Sequence, residues 1–150
     1  SVPCRVERRS AVRVDQSPAG IVDAHALAQI TILLAEDDKL MRDIAAAKLQ
    51  KYCAKIEFAT NGIEAIDILK KGNIALIVMD VRMPEMDGIT ATRAIRALEG
   101  DISKTPIVGL TGDFVAQTIA ECIDAGMNDV LPKPLDVQNF LEKTVPLLKP

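Results

Sequence analysis

Apolar residues along this chain fall into short runs that alternate with stretches of helical periodicity. TILLA at 31–35 is an apolar run that breaks off at Glu36-Asp37-Asp38, and KLMRDIAAAKLQKY at 39–52 then places Leu40, Ile44 and Ala47 at helical spacing, with Asp38 as its N-cap. IEFAT at 56–60 predicts a second strand, Asn61-Gly62 a turn, and IEAIDILKK at 63–71 a second helix before Gly72. IALIVMD at 74–80 is almost continuously apolar, as expected of a strand covered on both faces. ITATRAIRALEG at 89–100 predicts a third helix, TPIVGLTG at 105–112 a fourth strand, and FVAQTIAECIDAG at 114–126 a fourth helix ended by Gly126. The shortest strand, Asp129-Val130-Leu131, precedes Pro132-Lys133-Pro134. LDVQNFLEKTVPLL at 135–148 closes the pattern as a helix that Pro146 should bend or end.

Five strand-then-helix units predict an α/β fold of the doubly wound type, a three-layer sandwich around a five-stranded parallel sheet. Right-handed crossovers place helices on both faces of such a sheet. A closed barrel of eight units needs about twice the chain. Residues 1–29 do not share the pattern. Val12-Arg13-Val14 could form a short strand, but Ser17-Pro18-Ala19-Gly20 interrupts it, and Arg5, Arg8, Arg9 and Arg13 outnumber the local acids. This segment is expected to be an N-terminal extension or interdomain linker, with the folded domain at 30–150. A first residue other than Met suggests a trimmed chain or an excised fragment.

Composition excludes several classes. A net charge of -3 provides no general positive field, so direct nucleic-acid binding is not expected. No apolar run approaches the ~18 residues of a membrane span, and the N-terminus lacks a signal-peptide core. Cys4, Cys53 and Cys122 lack metal-binding spacing and His25 stands alone, which suggests free thiols in a cytoplasmic protein and no Cys/His metal cluster. Nothing assigns His25 a catalytic role.

The chemistry gathers where ligands bind in such sheets, beyond the C-terminal ends of the strands. The first strand ends in Glu36-Asp37-Asp38, the third in Asp80 and the fourth in Thr111, while Lys133 follows the fifth. Taken singly, such residues are usually caps, loop formers or surface charges. Together they make a pocket of carboxylates, one hydroxyl and one amine. Clustered carboxylates repel unless they are protonated or share a cation, and hard oxygen donors favour magnesium, so the pocket suggests phosphoryl chemistry. Neither GxxxxGK[ST] nor GxGxxG occurs, which argues against ATP binding.

ILLAEDD at 32–38, LIVMDVRMPEMDG at 76–88, IVGLTGD at 107–113 and AGMNDVLPKPLD at 125–136 closely resemble the receiver domains of two-component response regulators and hybrid histidine kinases. The resemblance implies a flavodoxin-like fold with strand order 2-1-3-4-5. It makes Asp80 the phosphoacceptor and Asp37 a direct magnesium ligand. Glu36 would act on the metal through water, and the Arg82 backbone carbonyl would complete the protein ligands. Lys133 becomes the phosphate-contacting lysine, aimed by a cis peptide before Pro134, and Thr111 the hydroxyl that follows the phosphoryl group. Met83-Pro84 would shape the wall beside Asp80. Gly88 would permit a tight turn into the third helix, and Gly112 would leave room for a phosphodonor. Asp38 keeps its capping role. The implied partner is a histidine kinase or histidine phosphotransfer protein, with a fused kinase domain outside this chain as one arrangement. A weak homodimer through the side of the fourth and fifth helices is a further implication.

The sequence departs from the family at Val130, three residues before Lys133, where receivers often carry Tyr or Phe. Signal output by rotation of a large ring is therefore not expected. Arg82 and Asp113, each two residues beyond a site residue, have opposite charges and are expected to face one another at the pocket entrance. Two other functions fit parts of the pattern. A magnesium-dependent phosphatase with an aspartate nucleophile would need a cap or insertion and often a DxD arrangement, which Asp80-Val81-Arg82 does not supply. A non-phosphorylated docking module would not need Asp37, Asp80, Thr111 and Lys133 together.

Overall fold

The strands β1 (Thr31–Ala35), β2 (Lys55–Ala59), β3 (Leu76–Asp80), β4 (Ile107–Thr111) and β5 (Asp129–Pro132) form one parallel sheet in the order β2-β1-β3-β4-β5. The computed structural model describes residues 27–148. The expectations for Val12-Arg13-Val14, Cys4 and His25 lie outside them. Connecting the strands are α1 (Lys39–Leu49), α2 (Gly62–Lys70), α3 (Gly88–Arg96) and α4 (Ala116–Ala125), and α5 (Val137–Leu148) follows β5. This is the flavodoxin-like arrangement.

Side chains alternate across the sheet and divide the core in two. Ile32, Leu34, Leu76, Val78, Val108 and Leu110 pack with Ala45 and Leu49 of α1 and Phe140 and Leu141 of α5. Leu33, Ala35, Ile77, Met79 and Ile107 face the opposite way, toward Ala65, Leu69, Ala91, Ile95 and Cys122 of α2, α3 and α4. Every residue of β3 and β4 is buried, which accounts for their continuous apolar runs. Full burial of each large aliphatic side chain contributes about 1.5–3 kcal/mol before entropy is counted.

Several local expectations change. The predicted face of α1 is its exposed one: Leu40 is 67% and Ile44 39% exposed, whereas Ala45 and Leu49 are buried. The helix is apolar on more than one side, so its own periodicity did not select the face that meets the sheet. Pro146 does not end α5, which continues to Leu148. Burial of Phe140, Leu141, Thr144 and Val145 anchors this helix, while proline removes one backbone donor. The third helix stops at Arg96, followed by a 3-10 turn at Asp101–Lys104. At the other end of the domain, Leu27 is fully buried among the α1 and α5 residues, so packing reaches into the segment expected to be linker. Among the described residues, no helix is long and apolar enough to cross a membrane.

Candidate functional site

Strand register builds the acidic pocket. Leu34 lies opposite Val78 and Ala35 opposite Met79, so Glu36 and Asp80 follow side by side on neighbouring chains. Both extend the alternation that points Leu34 and Val78 toward α1 and α5. Each is only 3% exposed, while Asp37 is exposed. Carboxylate oxygens of Glu36, Asp37 and Asp80 all lie within 4.8 Å of one another.

The loop carrying these acids is tied down locally. The Glu36 N–H donates to the Ala59 carbonyl at 2.9 Å, and the Asp38 N–H donates to Glu36 Oε2 at 3.2 Å. Asp38 Oδ1 accepts from the N–H groups of Leu40 and Met41, which makes it the N-cap of α1 as expected. Arg42 of α1 reaches back, its Nη1 donating to the Glu36 carbonyl at 3.1 Å.

Lys133 enters from β5, whose end is held by the Lys133 N–H donating to the Thr111 carbonyl at 2.8 Å. The Lys133–Pro134 peptide is cis, in agreement with the expectation. Lys133 Nζ lies 3.0 Å from Glu36 Oε1 and 3.0 Å from Asp80 Oδ1. Burial, then the hydrogen bond and negative charge of Glu36, push the Asp80 carboxyl up to about 7 against the opposing pull of Lys133. Burial acts to lower the Lys133 ammonium, but its hydrogen bonds and attraction to Asp80 and Glu36 prevail and raise it above the ordinary lysine value. The ammonium is therefore fully charged where the carboxylates need it.

Thr111 is buried, and its Oγ1 accepts from the Asp113 N–H at 2.9 Å. The hydroxyl oxygen is thus bonded within its own loop, and among the described residues its O–H has no acceptor. Asp80 Oδ1 accepts from the Arg82 N–H at 3.2 Å, while the Arg82 side chain extends to Asp113, Nη2 to Oδ2 at 3.5 Å. Gly112 faces open space.

Gly88 has a different reason from the one expected. It is the first residue of α3, with Asp87 as N-cap, and a Cβ there would run into the Asp80 carbonyl oxygen and come within 2.8 Å of Met79 Cγ. Glycine provides room beneath the end of β3. Val130 is buried against the α2, α3 and α4 side of the core and brings no ring to the surface. Its register partner Gly109 leaves space for Met127, whose sulfur would lie 2.6 Å from a Cβ at that position.

The sequence reading missed Arg42, one of two basic residues in the first turn of α1. It also missed the double engagement of Lys133, which needs the spatial meeting of β1, β3 and β5. Chemically, the site presents hard oxygen donors around a small volume, one exposed to solvent, with a fixed ammonium alongside. That donor set suits a divalent cation and an incoming oxyanion.

Residues 32–145 match the family model of the response regulator receiver domain. The chain is 36% identical over 112 residues to the CAI-1 autoinducer sensor kinase/phosphatase CqsS of Vibrio cholerae, a match covering 75% of this chain and 16% of that protein. The chain spans only 14–16% of the length of the first curated relatives. Among solved structures, the receiver domain of the Pseudomonas aeruginosa sensor histidine kinase PA1611, with magnesium coordinated in its active-site cleft, aligns with TM-score 0.70 and 32% identity, covering 79% of this chain and 99% of that one. The receiver domain of the Saccharomyces cerevisiae response regulator Ssk1, in co-crystal with the histidine phosphotransfer protein Ypd1, aligns with TM-score 0.69 and 29% identity, covering 79% and 88%.

Proposed function

This chain belongs to the response regulator receiver domain family, and from that premise we propose that Asp80 is the side chain on which it carries a phosphoryl group. Its function is that of a phosphoacceptor in two-component signalling, and the reactions it promotes are those of its own aspartyl phosphate. The observation that carries the assignment is the buried Asp80 held 3.0 Å from Lys133 and clustered with Glu36 and Asp37.

An Asp80 oxygen attacks the phosphorus of a phosphohistidine donor. The new O–P bond forms as the N–P bond breaks, and the imidazole leaves. Lys133 is placed to pass from carboxylate to phosphoryl oxygen, and the Thr111 O–H is available to donate to another. In this reading Asp37, Asp80 and the backbone carbonyl of Arg82 would hold magnesium and Glu36 would act through water. Magnesium held there would offset charge on the phosphoryl oxygens.

The donor in this reading is a histidine kinase or a histidine phosphotransfer protein, either separate or as a kinase fused outside this chain in a cytoplasmic arrangement. Exposed Leu40 and Ile44 on α1, beside the acidic loop, and exposed Phe114 and Val115 beyond Thr111 support docking of an apolar surface next to Asp80. Val115 and Ile123, also exposed, support the α4 part of weak self-association through the side of α4 and α5. Residues 30–150 constitute the receiver unit in this reading, with 1–29 leading into it and Leu27 of that segment packed on its core.

Intact-mass measurement after exposure to a small phosphodonor and magnesium tests the assignment. The wild type should gain one phosphoryl group and Asp80→Asn none. Undiminished gain by Asp80→Asn would overturn it.

A further inference from the structure

We propose that Arg42 is a positioning residue whose guanidinium braces the Glu36–Asp37 peptide and thereby holds Asp37 toward the cation site. The proposal rests on the reading of Glu36, Asp37 and Asp80 as a divalent-cation site.

The three carboxylates are not held alike. Glu36 is fixed through its side chain, by Lys133 at 3.0 Å and the Asp38 N–H at 3.2 Å, and Asp80 by Lys133 and the Arg82 N–H. Among the described residues, no hydrogen bond holds the exposed Asp37 carboxylate, so its direction depends on the backbone that carries it. Arg42 acts on that backbone, donating from Nη1 at 3.1 Å to the carbonyl of the peptide that joins Glu36 to Asp37. The Arg42 N–H donates to the Asp38 carbonyl at 2.8 Å, so one residue of α1 holds the acidic loop on both sides of Asp37.

The guanidinium is not committed to an ion pair within 4.0 Å among the described residues, although acids lie near it. The Glu64 carboxyl is held below its ordinary range by the Thr60 N–H and hydroxyl, with the positive charge of Arg42 adding a smaller pull. Arg42 thus makes its hydrogen bond to a carbonyl while acids stand close by, as expected of a group that fixes geometry.

Charge and geometry give opposite signs here. A positive charge close to a cation site repels the cation, so a purely electrostatic role predicts tighter magnesium binding once the charge is removed. A brace predicts weaker binding. Calorimetric titration with magnesium at fixed ionic strength, alongside thermal unfolding of the metal-free proteins, separates the two. Arg42→Ala should weaken binding by about threefold to tenfold, the worth of one hydrogen bond. Arg42→Lys, which keeps a donor, should restore part of the loss. Unchanged or tighter binding by Arg42→Ala overturns the proposal. Amide hydrogen exchange in the metal-free protein keeps this outcome distinct from failure of the cation-site reading: Arg42→Ala should speed exchange at Asp37 and Asp38 while leaving β3 unaffected. Unchanged exchange there overturns the brace even if the wild type binds no magnesium.

Discussion

Arg82 and Asp113 meet beside Asp80, Nη2 to Oδ2 at 3.5 Å, with their side chains 75% and 51% exposed. The same Asp113 oxygen accepts from the Thr118 hydroxyl of α4 at 3.5 Å, and the Asp113 N–H is bonded to Thr111 Oγ1. The pair therefore links the loop after Asp80 to the loop after Thr111 and to the first turns of α4. So exposed a bridge contributes only about 0–1 kcal/mol to stability. Its expected importance is kinetic: if Asp80 carries the phosphoryl group as proposed, these side chains stand at the entrance through which hydrolysing water would approach it.

Arg82→Ala should accordingly speed phosphate release, and Asp113→Ala should alter it by freeing Arg82. Release rates from the wild type, both single variants and the double variant, at fixed magnesium and ionic strength, form a complete cycle. Coupling is expected. Strictly additive logarithmic effects, or an unchanged rate in Arg82→Ala, would reduce the pair to ordinary surface charges.

The raised Asp80 carboxyl predicts an acid-favoured fold in the absence of metal. A carboxyl titrating near 7 when folded and about 3.9 when unfolded keeps a proton in the native state that the unfolded chain has released. More protons bound to the folded state means that stability falls as pH rises through about 4 to 7. Denaturant unfolding of the metal-free protein across this range should show that decline. Asp80→Asn should flatten it and be the more stable form above neutrality. Parallel pH profiles for the two proteins would contradict the assignment of this proton to Asp80.

Lys133 has a structural part beside its proposed one in transfer, since it bridges two buried carboxylates. A lysine free in solution would contribute little to stability, and removal would affect only transfer. With contacts of 3.0 Å to both Glu36 and Asp80, Lys133→Ala should also destabilise the metal-free fold at neutral pH, by about 1–3 kcal/mol for the unsatisfied partners. Acidification should recover much of that loss by protonating a carboxyl. Phosphotransfer measured beside unfolding should fall at every pH. Wild-type transfer, or unchanged neutral stability, would contradict the corresponding half of this account.

The sequence by itself determined the order of elements and the residues at the strand ends. Apolar runs such as LIVMD are short enough for strands, their acids stop the runs abruptly, and the intervening periodicity is helical. Asp38 and Gly126 were legible as caps because their bonds are local: Asp38 bonds two and three residues ahead, and Gly126 has the positive φ of 119° that glycine tolerates. Tertiary structure decided which face of α1 meets the sheet, exposing Leu40 and Ile44, because an alanine-rich helix has several apolar faces and only the crossover chooses between them. It also decided that Gly88 makes room under the Asp80 carbonyl and that Lys133 lies between Glu36 and Asp80. These relations join residues on separate strands and loops, whose distances come from sheet register and packing, and local periodicity contains neither.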